Sequence, residues 1–102
     1  MIRYRVAIAA TLFLVAIEAS AQARNAGRDI AAGCTSCHAQ NIALGKIPPL
    51  AGLGKAELVA RLVEFKSGRR AGTVMPQLAK GYSDEQIELV ATWLSSEEAR
   101  HE

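Results

Sequence analysis

The chain has 102 residues, half of them apolar and 22% charged, with a formal charge of +2 at pH 7. That is room for one domain at most, and the charge balance is not that of a nucleic-acid binder. Its two cysteines allow at most one disulfide, closing a loop too short to constrain the unfolded chain much, so a cofactor at the centre of the core would be the better staple.

Arg3 and Arg5 precede a nearly unbroken apolar run from Val6 to Ile17, and Ala21-Gln22-Ala23 carries an A-x-A cleavage signature. Residues 1–23 therefore read as a secretory signal. Cleavage after Ala21 fits the same rule through Ala19-Ser20-Ala21. A retained membrane anchor is the competing interpretation, but the run is short for a span, and Glu18 and small polar residues follow it at once. The predicted exported part, residues 24–102, sits near the size where a core alone is marginal. The leader holds Arg3, Arg5 and Glu18, one net positive charge, so about +1 remains on the exported part. Its aromatic residues are Phe65, Tyr82 and Trp93.

The first predicted helix covers roughly residues 26–37, "AGRDIAAGCTSC", with Ile30 and Cys34 one turn apart. A connection rich in Gly, Ala and Pro follows over residues 39–54, where Pro48-Pro49 argues against helix. The second helix, "KAELVARLVEFKSG" at 55–68, sets Leu58, Leu62 and Phe65 on one face, and Gly68 is its stop. Residues 69–81, "RRAGTVMPQLAKG", read as a second long connection. The last helix follows Ser83, an N-cap with Gln86 three positions on, and Asp84 and Glu85 lie in its first turn. Ile87, Val90, Ala91 and Leu94 form its apolar face. No window alternates as a strand does. The predicted fold is all-α, with three or more helices and two long connections that would wrap around something.

Cys34, Cys37 and His38 form the C-x-x-C-H of "CTSCH". In an exported chain this motif marks covalent attachment of one haem c. Two thiols a helical turn apart suit addition to the two haem vinyl groups, and the following His38 becomes the proximal iron ligand. Two other interpretations compete. A thioredoxin-like dithiol needs a βαβ context, and none is visible. A structural zinc site needs about four ligands, and His101, next to last in the chain, is the only addition to the motif.

An electron-transfer haem takes a second axial ligand, and Met75 in "GTVMPQ" is the one methionine left after signal removal. A gap-filling core methionine is the alternative. With His38 and Met75 both on the iron, the site would transfer electrons and not readily bind substrate. The other ring N–H of His38 needs an acceptor, for which the carbonyl of Pro48 is the first candidate and that of Pro49 the second.

"CTSCH", "IPPLAG", "FKSGRR", "TVMP" and "YSDEQIELVATWLSS" occur in the order seen in class I c-type cytochromes, and the chain resembles that family across residues 24–102. The wording from "IPPLAG" to "YSDEQI" is most similar to cytochrome subunits of flavocytochrome c sulfide dehydrogenases, and also to single domains of cytochrome c4. The resemblance implies a small fold of helices around one haem, with Cys34 and Cys37 as thioether cysteines, His38 and Met75 as axial ligands, and the Pro48 carbonyl as acceptor from His38. It also implies that Ile30 crosses Val90, Trp93 and Leu94 where the terminal helices meet. Many c4-like relatives carry two haem domains, whereas this chain has one C-x-x-C-H.

The implied function is periplasmic electron transfer, as a subunit that takes electrons from a flavoprotein oxidising sulfide. The sulfur chemistry would then belong to the flavoprotein. A freestanding shuttle is the second hypothesis, with Lys46, Lys55, Lys66, Arg69, Arg70 and Lys80 as candidate docking charges. A haem sensor or enzyme with an open iron is the third, and it needs Met75 off the iron.

Overall fold

No proline or glycine interrupts the sequence between Ile2 and Ala26. In the computed structural model helix α1 accordingly runs unbroken over Ile2–His38. The structure describes residues 2–39, 47–50, 52–96 and 99. At 1.5 Å per residue α1 is about 55 Å long, most of the molecule's 64 Å longest axis. The sequence prediction began this helix near residue 26. The helix extends further because the leader-like segment is itself a good helix former and joins it in phase. Tyr4, Ile8, Ile17 and the run from Leu12 to Val15 are all exposed. Among the described side chains, the N-terminal half of α1 thus contributes none to the core. No helix among the described residues is long and apolar enough to cross a membrane.

Helix α2 spans Lys55–Ser67. It stops where predicted: Gly68 takes the left-handed conformation, φ 81°, and donates its N–H to the Phe65 carbonyl. Helix α3, Met75–Lys80, lies inside a stretch that the sequence prediction left as a connection. Pro76 near its start lacks the N–H that a first turn leaves unpaired anyway, so it starts a helix rather than preventing one. Helix α4 covers Asp84–Leu94, and the predicted capping box is present in both directions. Gln86 N–H donates to Ser83 Oγ at 3.1 Å, and the Ser83 N–H donates to Gln86 Oε1 at 2.9 Å.

The core gathers Ala31 from α1, Leu58 from α2 and Val90, Ala91, Trp93 and Leu94 from α4. Ile30, Cys34, Leu50, Leu53, Val59 and Leu62 pack around it half-buried. The expected crossing of α1 and α4 is therefore present, with Ile30 against the Val90–Trp93–Leu94 group. The two helices approach closely at Gly27, where an added Cβ would stand 2.4 Å from the Leu89 carbonyl oxygen and 3.3 Å from Trp93 Cβ. A close approach of backbones sets that glycine, whereas its dihedral angles demand nothing special. Helix α2 packs on α4, and α3 packs on α2 but not on α1.

Candidate functional site

The C-terminal turn of α1 presents the three motif residues. Cys34 is half-buried beside the core, and its thiol donates to the Ile30 carbonyl one turn back at 3.7 Å. Burial pushes the Cys34 thiol pKa up. Cys37, three residues on, is exposed. His38 is the last residue of the helix.

From His38 the chain reaches Pro48, whose carbonyl oxygen lies 2.6 Å from His38 Nδ1. A carbonyl can only accept, so Nδ1 carries the proton and the Nε2 lone pair is left available. Of the two predicted acceptors, Pro48 is the one in contact. Met75 sits half-buried at the start of α3, on an element that does not touch α1. His38 and Met75 are thus offered from separate elements, with no packing between them. Outside the N-terminal half of α1, the exposed large apolar side chains among the described residues are Ile47 (41%), Val74 (61%) and Leu78 (52%). Each belongs to the segment carrying Pro48 or Met75. A large flat apolar group would cover such side chains.

One set of neighbours escaped sequence reasoning. Gly72 lies so near Phe65 and Pro76 that a Cβ on it would stand 3.2 Å from Phe65 Cε1 and 3.1 Å from Pro76 Cδ. Arg70 folds back over the Phe65 ring, Cζ 5.6 Å from its centroid, and its Nε and Nη2 both reach Glu64 Oε2 at 2.8 Å. The Glu64 and Arg70 spacing is no helical pair, and Gly68 between them gives the only sequence signal that the chain reverses there.

The candidate docking cations are largely committed within the molecule. Lys55 pairs with Glu88 at 3.0 Å, Lys66 with Asp84 at 3.0 Å and Arg70 with Glu64. Arg69 donates to the Ser67 hydroxyl at 3.1 Å. Lys46 and His101 lie outside the described residues. As for the competing uses of the motif, no strand occurs among the described residues, and no three His, Cys, Asp or Glu side chains among them converge as a metal site would need.

Residues 25–98 match the family model for cytochrome c. The chain belongs to the cytochrome c family. This cytochrome is 32% identical over 71 residues to the cytochrome subunit of sulfide dehydrogenase of Chlorobaculum tepidum, a match covering 69% of the chain and 64% of that relative. It is 33% identical over 69 residues to the thiosulfate dehydrogenase electron acceptor of Stutzerimonas stutzeri, covering 65% of the chain and 32% of the relative. Cytochrome c-553 of Helicobacter pylori is 34% identical over 68 residues, 64% of the chain and 71% of the relative. The chain thus spans less than two thirds of the first two relatives it matches. As in the family, the cofactor is a covalently bound haem c and the role is haem-based electron transfer. The residues present suit that group: two thiols a turn apart, an imidazole whose Nδ1 is held by Pro48, a thioether on a separate segment, and exposed apolar side chains to cover the ring.

Proposed function

We propose that cleavage after Ala23, or after Ala21 two residues earlier, releases an exported single-haem electron-transfer domain of the periplasm, residues 24–102 in the first case and 22–102 in the second. In this proposal Cys34 and Cys37 carry the thioether bonds, and His38 Nε2 and the Met75 sulfur are the axial ligands. The haem supplies a one-electron couple when bound. The chain's own contribution is to fix the ligands and exclude water. The carrying observation is the hydrogen bond from His38 Nδ1 to Pro48, which sets the tautomer and orients Nε2.

For the partner, we infer a flavoprotein that oxidises sulfide and delivers electrons to this chain. The similarity to the Chlorobaculum tepidum subunit supports it. A freestanding carrier is the second reading, supported by the match to cytochrome c-553, most of whose length is covered. Purification from native periplasm with a visible spectrum separates them. Flavin co-purifying with haem c in fixed proportion is the expected result; recovery of the cytochrome alone, repeatedly, sinks the subunit assignment in favour of the carrier.

A further inference from the structure

We infer that Phe65, Gly72 and Arg70 are positioning residues for the axial sulfur, a conclusion that rests on Met75 being the ligand. Helix α3 cannot hold Met75 by itself. It has six residues, and its N-cap, Val74, offers no side-chain hydrogen bond. So short a helix is marginal alone. A methionine side chain has three rotatable bonds and adapts to what surrounds it, so a fixed sulfur needs a fixed backbone. Pro76 supplies the link. Its ring is part of the main chain and is bonded directly to the Met75 carbonyl, so holding the ring holds the peptide that follows Met75.

Helix α3 packs on α2. A Cβ on Gly72 would stand 3.1 Å from Pro76 Cδ and 3.2 Å from Phe65 Cε1, so both rings close on the space that a side chain at position 72 would fill. The φ of Gly72 is not in the left-handed region, so the absent side chain matters for space alone. Phe65 is fixed in turn. Gly68 turns the chain back, Arg70 N–H donates to the Glu64 carbonyl at 3.1 Å, and its guanidinium covers the Phe65 ring while both Nε and Nη2 grip Glu64 Oε2. The series Glu64, Arg70, Phe65, Gly72, Pro76, Met75 contains no loose side chain between the end of α2 and the backbone of the ligand. The core formed by Ala31, Leu58 and α4 does not include these residues, so the set can be perturbed without touching it.

The test uses the haem-loaded protein and competition by imidazole for the iron. Gly72→Ala inserts a methyl between the two rings and should let imidazole displace the sulfur at about tenfold lower concentration, the scale of a modest overpacking cost. It should also lower the reduction potential and weaken the sulfur-to-iron charge-transfer band. Arg70→Gln should do the same more weakly, with Arg70→Lys between Gln and wild type. Thermal unfolding followed by far-UV circular dichroism is the control. Imidazole affinity unchanged in Gly72→Ala and Arg70→Gln, or raised only as far as global unfolding rises, overturns the inference. If Gly72→Ala does not load haem, Arg70→Gln and Phe65→Leu carry the same comparison. Absence of the charge-transfer band in the wild type, with Met75→Ala leaving the potential unchanged, overturns the ligand assignment instead, so the two failures are distinguishable.

Discussion

His38 and its two cysteines occupy one helical turn, yet each meets a different environment. The imidazole is pinned by Pro48, the Cys34 thiol is half-buried against the core, and the Cys37 thiol is in solvent. In the haem-free chain Cys37 should therefore react first with iodoacetamide, with mass mapping of partly labelled protein as the readout. The raised Cys34 pKa also has a stability consequence. A thiol whose folded pKa lies above its unfolded value contributes stability that is fully present below the unfolded value and lost as pH rises through the folded one. Denaturation of the haem-free chain should show stability falling above the ordinary thiol range, and Cys34→Ala should flatten that fall. Met75→Ala should keep haem attached, lower the potential and open the iron to carbon monoxide; an unchanged potential refutes its role. These residues were legible because their types are scarce: two cysteines, two histidines and, past the leader, one methionine. Gly72 and Arg70 were not legible, since their significance lies in a chain reversal that brings together positions with no periodic relation.

The helices divide by how much of their formation is local. Helix α2 stops on a signal printed in the sequence, a left-handed glycine, and helix α4 starts on one, a capping box, and both signals act where the sequence sets them. Ser83→Ala should cost about 1 kcal/mol of stability by urea unfolding, the usual loss for such a cap. Helix α3 lies in a stretch whose flanking Gly and Pro read as a connection, whereas Pro76 serves in its first turn. The sequence reading starts the first helix near residue 26, because a cleavage signature says nothing about the backbone on either side of it. Gly27 carries the crossing of α1 on α4, and sequence periodicity gives no sign of it because its role is to be empty. Gly27→Ala would push a methyl into the Leu89 carbonyl, so denaturant unfolding should register a loss of about 1–3 kcal/mol. The same substitution at Gly33, where no described residue lies within 4 Å of the added Cβ, should be far milder.

At the scale of the molecule, the core is small: a few side chains from α1 and α2 closed by α4. The segments bearing Pro48 and Met75 contribute exposed apolar side chains where a core would have buried ones. Haem burial should then supply much of the stability of the fold. Replacing both Cys34 and Cys37 with alanine should abolish covalent haem and, with it, most cooperative thermal unfolding by circular dichroism; a sharp transition in that variant would show that the protein part suffices. The surface charges point the same way for both candidate partnerships. With Lys55, Lys66 and Arg70 already paired within the molecule, a strongly salt-dependent encounter would have to draw on other cations.

The contact of Gly27 with Leu89 and Trp93 brings distant parts of the chain together, and every residue assigned to the cofactor lies between them in sequence. For a chain threaded through a membrane N-terminus first, this clasp is the last thing to become available. Cys34, Cys37 and His38 would emerge long before α4 does, on a strand of protein whose closing partner is still on the other side. If the chain is exported as proposed, the attachment motif can be handled while the ring is open, and the ring shuts only when translocation is nearly done.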